Sequence, residues 1–462
     1  MAKGLAEELA NCCAPAVQNF LTPKKLGEKE SRSRTTTKRS NANATKKGTS
    51  PKRASSRARS RNRSSSRTNT KKSKPSSSNY ILTPDACKRL ASWKYTKGTD
   101  TVLDRIMNVW WEFAVKFLPL WMAPNLVTLL GFLGILSTTL TLLFFIPEFN
   151  SVAPQWAYFL ALLGHFFYQT MDAIDGKQAR RTGATSPLGQ LFDHGCDAFT
   201  TITIGVLNNA CMMYGATSFT VLNTVLNFNV FFLAQWEEYH SGVLKINNGW
   251  IGLTEGQLAQ MLMMLSIACL GPGLWHVPVE HSVFDAFGGF LQLRHLVLFP
   301  MAAVTMLLAV QSVLRVVVGG RTLTKKADAG AKDLGLVDKL MQLVPQYLIY
   351  WFWYRWSTGD NFELFARNVF LVYLAGGLGA AYYATKVIVA QMSKSPIRYG
   401  VALFEIVVPM MLCVEVLSKR SYEDQVLGLR LFLGWIVANY GFYVFGVGMD
   451  LSKTLGIRVF KI

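Results

Sequence analysis

Residues 154–214 read PQWAYFLALLGHFFYQTMDAIDGKQARRTGATSPLGQLFDHGCDAFTTITIGVLNNACMMY. Two apolar runs, 154–175 and 187–214, are each long enough to cross a bilayer, which takes about 20 residues. The link around Gly183 is short, so the two helices are expected to be antiparallel neighbours. Acids stand at their facing ends, where a membrane helix normally has none: Asp172, Asp175, Asp193 and Asp197. Asp172 and Asp175 share one helix face, and Asp193 and Asp197 share a face of the next helix. The four carboxylates should therefore converge near one membrane interface. Four like charges in a partly dry site cannot all stay ionised without cations. Oxygen-only donors with no cysteine favour a hard divalent ion, Mg2+ or Mn2+. Four carboxylates can hold two such ions, a set suited to phosphoryl chemistry. Gly176, Ala179 and Gly189 are small enough to let a substrate come close, and Arg180 offers a fixed positive fork for phosphate. The bland alternative is an intramembrane salt network. It needs as many cations as acids at that depth, and Lys177, Arg180 and Arg181 only partly supply them.

The rest of the chain supports a membrane setting. Of 462 residues, half are hydrophobic and 16% charged, against roughly 25% charged in soluble domains. Mean hydropathy is +0.22. Eight further apolar runs occur at 126–146, 217–238, 254–274, 292–318, 336–357, 363–391, 397–418 and 425–449. The fold expected is an all-α polytopic membrane protein of about ten transmembrane helices. The run holding Trp351, Trp353, Tyr354 and Trp356 is partly interfacial in character. Over 100–118, Leu103, Ile106, Trp110, Phe113 and Phe117 recur at helical spacing opposite Asp104, Arg105, Asn108, Glu112 and Lys116. That pattern predicts an amphipathic helix lying at the interface.

The net charge of +20 is local. Residues 31–75 hold 16 of the 48 Lys and Arg and no acid, so the remainder carries 32 basic and 28 acidic residues. This Ser/Arg/Lys-rich stretch cannot bury a core and is expected to be a disordered tail, with contact to anionic lipid as its sharper reading. No aromatic residues interleave with its charges, so nucleic acid is not an expected partner. The resulting division is 1–90 tail, 91–120 interfacial segment, 121–318 catalytic helices and 319–462 C-terminal helices. With the tail cytosolic, the loops after even-numbered segments carry Lys177-Arg180-Arg181, Lys245, Arg321-Lys325-Lys326 and Lys394-Arg398, and the C-terminal end carries Lys453, Arg458 and Lys461. Lys419-Arg420 is the one exception, so both termini and the acids are expected on the cytosolic side. None of the seven cysteines forms a C-x-x-C pair. Cys12 and Cys13 are candidate palmitoylation sites, with unmodified thiols the default. These features exclude a soluble enzyme, a secreted disulfide scaffold and a wholly disordered chain.

The acids fill every position of D-x2-D-G-x2-A-R-x8-G-x3-D-x3-D, from Asp172 to Asp197. This resembles the signature of the CDP-alcohol phosphatidyltransferase family. Asp175-Gly176-Lys177-Gln178-Ala179-Arg180-Arg181, Phe192-Asp193-His194-Gly195-Cys196-Asp197, Ala123-Pro124-Asn125-Leu126-Val127-Thr128 and Trp236-Glu237-Glu238-Tyr239 resemble its eukaryotic choline/ethanolamine phosphotransferase branch. The resemblance is close over 93–256 and one of hydropathy alone beyond it. It implies that the hydroxyl of diacylglycerol attacks the β-phosphorus of CDP-choline or CDP-ethanolamine, releasing CMP. It implies homodimerisation and a membrane of the endoplasmic reticulum, with the Golgi as the other candidate.

On that basis Asp172 and Asp193 are expected to bridge two Mg2+, with Asp175 completing one shell and Asp197 the other. Arg180 is expected at the diphosphate and Asn125 at the nucleotide. Asp197 is one candidate base, although a metal-bound carboxylate is a poor one. His194, with an ordinary pKa near ~6.5, is the favoured base, against a packing role. Glu255 is the first choice for a carboxylate orienting it and Glu238 the second. Trp236 and Tyr239 are available for a quaternary ammonium cage. The histidines at 165, 240, 276, 281 and 295 read as structural. The competing function is a divalent-cation transporter, whose site should lie near the bilayer midplane rather than at helix ends beside cations.

Overall fold

Helices form within the apolar runs and stop at residues that cannot continue them. The computed structural model describes residues 81–93, 98–245, 247, 249–279, 292–318 and 334–460. Helix α1 spans Pro84–Ala91 and α2 spans Val102–Ala114. Ten longer helices follow, each overlapping one apolar run, with short helices at Leu293–Leu296, Leu336–Met341 and Phe362–Arg367 beside them: α3 Pro124–Phe145, α4 Gln155–Thr182, α5 Pro187–Met212, α6 Ser218–Ser241, α7 Leu253–Leu270, α8 Leu298–Val318, α9 Val344–Trp356, α10 Val369–Met392, α11 Tyr399–Lys419 and α12 Tyr422–Leu455. Among the described residues no strand forms beyond two isolated bridges, so the protein is all-α. Among the described residues six helices are long and apolar enough to cross a membrane by length and composition alone: α3, α7, α8 with its preceding turn, α10, α11 and α12. Helices α4, α5 and α6 carry acids, amides and histidines, and α9 has 13 residues, about 20 Å of helix.

Small residues set the closest helix crossing. Gly131 and Gly134 on α3 face Met171 and Phe167 on α4, and Gly164 on α4 faces Thr138 on α3. Without a hydrophobic force between helices in lipid, such close approach supplies the packing energy. A Cβ at Gly164 would fall 2.0 Å from Thr138 Oγ1, so the helices would have to separate. Gly164→Ala is expected to cost about 1–3 kcal/mol, read as a lowered Tm in detergent. Gly441→Ala, in α12 with nothing within 4 Å of its Cβ, should not lower it. Equal shifts for both variants would refute the packing argument.

Helix α10 lies at the centre, packed against α5, α6, α9 and α12, with 89% of its apolar window buried. Tyr373 on α10 donates to the Ile202 carbonyl at 3.1 Å, and Trp353 on α9 seats against Gly376. One apolar core therefore runs through the helices on both sides of residue 319.

Helix α1 lies within the span expected as tail and packs on the bundle. Thr83 caps α1 by accepting from the Ala86 N–H at 3.2 Å, and Pro84 stands at its first turn. Leu82, Ala86, Cys87 and Leu90 are buried, and the Ile81 and Leu82 amides donate to Asp450 on α12 at 2.8 and 3.1 Å. A helical apolar face so close to the basic stretch gives residues 81–91 a place in the fold. The tail before residue 81, with Cys12 and Cys13, lies outside the described residues, as do Arg321, Lys325, Lys326 and Lys461.

Helix α2 forms where amphipathic periodicity places it. A capping box between Thr101 and Asp104 starts it, and none of its residues is buried. Val102, Ile106, Val109, Trp110 and Phe113 make an exposed apolar face.

Candidate active site

The site is built at one turn of chain. Gly183, in the left-handed region at φ 67, ends α4. Ser186 then caps α5 by accepting from the Gly189 N–H at 3.0 Å, with Pro187 in its first turn. Four acids thus end up on two helices that meet in one cavity of about 1050 Å³. Asn125, Gly176, Ala179, Arg180, Gly189, His194 and Glu255 line the same cavity. The four acids and these seven residues, all singled out from the sequence, are thus brought together.

Asp172, Asp193 and Asp197 each present an oxygen within 4.8 Å of the others. Asp175 is buried beside them and accepts a short hydrogen bond from the Thr128 hydroxyl of α3. The Tyr168 hydroxyl donates to Asp197 Oδ1 at 2.8 Å. Asp193 Oδ1 is buried and has no protein hydrogen-bond partner. An orphaned carboxylate oxygen among three more carboxylates, with no nitrogen or sulfur donor in the cluster, fits a hard divalent cation. Thr128 and Tyr168 bond two of the acids, and sequence reasoning missed them. Tyr168 stands four residues before Asp172, on the same helix face, and that spacing was the available signal.

The three cations after the acids divide their work. Lys177 Nζ binds Asn108 at 2.7 Å and Glu112 at 2.5 Å on α2, and holds the Glu112 carboxyl below its usual range. Arg181 donates to the Val115 and Leu118 carbonyls just after α2. Both tie the amphipathic segment to α4. Arg180 is exposed at the cavity and makes no ion pair with the described residues, so it remains for an anionic ligand.

Other side chains refine the expectations. Asn125 Nδ2 donates to the Val459 carbonyl at 2.6 Å, so its amide is held by the segment after α12. His194 is buried; its Nε2 lies 3.5 Å from Gln190 Nε2, and its Nδ1 has no partner. Neither ring nitrogen is bonded to Glu255, whose Oε2 instead accepts from the Gly252 N–H at 2.8 Å and caps α7. The expected His194–Glu255 pair is therefore not formed, although both face the cavity. Glu238 is buried on α6 away from the cavity lining. Trp236 is fully buried and donates to Gln342 at 3.1 Å, and Tyr239 is buried too, so neither forms a cage in the cavity. His281 lies outside the described residues.

Comparison with known proteins agrees with this geometry. Residues 121–284 match the CDP-alcohol phosphatidyltransferase family. Cholinephosphotransferase 1 of Danio rerio is 31% identical over 384 residues, covering 81% of this chain and 94% of that one. Cholinephosphotransferase 1 of Xenopus laevis is 31% identical over 82% of this chain and 90% of its own. An uncharacterized CDP-alcohol phosphatidyltransferase class-I family protein 1 of Dictyostelium discoideum is 31% identical over 81% of this chain and 93% of its own. With its acids, its helices and its relatives in agreement over most of its length, this chain belongs to the CDP-alcohol phosphatidyltransferase family.

Proposed function

We propose that this protein transfers phosphocholine, phosphoethanolamine or both from the CDP-alcohol to diacylglycerol, releasing CMP. The observation that carries the reading is the convergence of the complete acid signature, Asp172 to Asp197, on one cavity that also holds Arg180 and His194. The acids sit at helix ends beside cations, and the divalent-cation transporter gains no support.

The chemistry follows from the residues. The diacylglycerol oxygen forms a bond to the β-phosphorus, the bond from that phosphorus to the CMP oxygen breaks, and the hydroxyl proton must be taken up. His194 Nδ1, buried and without a partner, is suited to accept that proton as a neutral imidazole. Asp197 is the alternative base, but Tyr168 already donates to one of its oxygens. Glu255 would serve as the orienting carboxylate only by leaving its capping bond to Gly252. Arg180 meets the diphosphate and Asn125 the nucleotide. Asp172, Asp175, Asp193 and Asp197 would hold two Mg2+ or Mn2+, which neutralise the diphosphate and stabilise the leaving CMP.

Water-soluble nucleotide and lipid alcohol would meet at the cytosolic surface of the endoplasmic reticulum or Golgi membrane, with both termini cytosolic. Homodimerisation and anionic-lipid contact by the basic tail belong to the same reading. The test is detergent-purified protein given diacylglycerol, Mg2+ and either CDP-choline or CDP-ethanolamine. Labelled phospholipid and equal CMP are expected from at least one donor. Folded protein that yields lipid from neither donor, with Mg2+ or Mn2+, overturns the reading.

A further inference from the structure

We infer that Thr128 and Tyr168 are positioning residues that clamp two of the four acids for cation binding. The inference rests on the proposed role of the acids as cation ligands. Thr128 stands on α3 and its hydroxyl reaches across to Asp175 Oδ2 on α4. The same hydroxyl lies 3.2 Å from the Pro124 carbonyl. It has one proton, and a charged carboxylate is the stronger acceptor. Tyr168 stands on α4 and reaches Asp197 on α5 at 2.8 Å. Each clamp therefore joins two helices through a carboxylate, rather than fixing a side chain within its own helix.

The distribution is what gives the clamps a function. Among the described residues, hydroxyl donors reach only Asp175 and Asp197, the second acid of each pair. Among the described residues no hydroxyl or amide donor reaches Asp172 or Asp193, and one oxygen of Asp193 is buried without a protein partner. An acid that closes the shell of one ion needs a single oxygen, so its other lone pairs can be tied down. An acid shared between ions needs both oxygens clear. The clamps fall on the acids expected to close a shell and spare those expected to be shared. Both hydroxyls are uncharged, so they fix an orientation without competing as cations. Thr128 and Tyr168 are themselves buried, Thr128 on α3 and Tyr168 on α4, which leaves few alternative rotamers.

Partners that orient a metal-ligating carboxylate typically contribute about 10–100-fold in metal affinity. The experiment is Mn2+ titration of the substrate-free full-length protein in detergent, read by electron paramagnetic resonance, with Tm measured alongside. Wild type should bind Mn2+, and Asp193→Asn should weaken that binding. Thr128→Val, nearly isosteric, and Tyr168→Phe should each bind Mn2+ about 10–100-fold more weakly. Thr128→Ser, which keeps the hydroxyl, should stay close to wild type. A merely structural threonine would lower Tm without this separation between valine and serine. Wild-type affinity in folded Thr128→Val and Tyr168→Phe overturns the inference while leaving the acids as ligands. Absence of Mn2+ binding by the wild type overturns both readings.

Discussion

Replacing Asp193 with asparagine should reduce lipid formation by about 10²–10³-fold, the scale seen when a group stabilising developing charge is removed from a dry site. The substitution preserves volume and one oxygen, so packing is kept. What it removes is the charge on a carboxylate whose Oδ1 is buried with no protein partner. The new amide would also point N–H donors, beside Asp172 and Asp197, where a cation needs oxygen lone pairs. Initial rates at saturating CDP-alcohol and diacylglycerol, with Tm as a check on folding, measure the effect. A folded variant within tenfold of wild type would remove Asp193 from the chemistry and with it the proposed reaction centre.

The second large effect is expected at His194. Proton transfer by a positioned side chain contributes about 10²–10⁴-fold, so His194→Ala should lose that much in kcat. Its Mn2+ binding and its KM for the CDP-alcohol should change little, because the ring is bonded to no acid. That split separates a base from a packing residue, whose loss would lower Tm and move all parameters together. Full turnover by His194→Ala would sink the assignment and leave Asp197 as the candidate base. Asp193 and His194 are adjacent on α5, yet the two variants should fail differently: one in cation binding and rate, the other in rate alone.

Much of this site is legible in the sequence, because its information is local. Asp172 with Asp175, and Asp193 with Asp197, obey the helix repeat, and Gly183 with Ser186-Pro187 marks the turn that brings the pairs together. Nine of the eleven expected site residues share one cavity for that reason, and Asn125 on α3 and Glu255 on α7 join it from other helices. What escaped depends on distance across helices. Thr128 and Tyr168 are ordinary helix residues until their hydroxyls are seen against Asp175 and Asp197. Lys177 and Arg181 look like partners for the acids but hold the segment around α2, because flexible basic side chains reach whichever acceptor the neighbouring element offers. Trp236 and Tyr239 show the converse, since aromatic identity does not say whether a ring faces a cavity or the core. Hydropathy could not rank the helices by exposure either. Helix α10 has a window hydropathy of 1.2, the lowest of the six apolar helices, and is the most enclosed of them.

That enclosure bears on how the protein is made. Chains emerge from the ribosome N-terminus first, so α3 to α9 are synthesised before the helix that will stand between them. Until residue 392 has been added, the faces of α5 and α9 that carry Ile202 and Trp353 lack the partners they have in the finished fold. The central core is therefore completed late, by a helix made after the elements it joins.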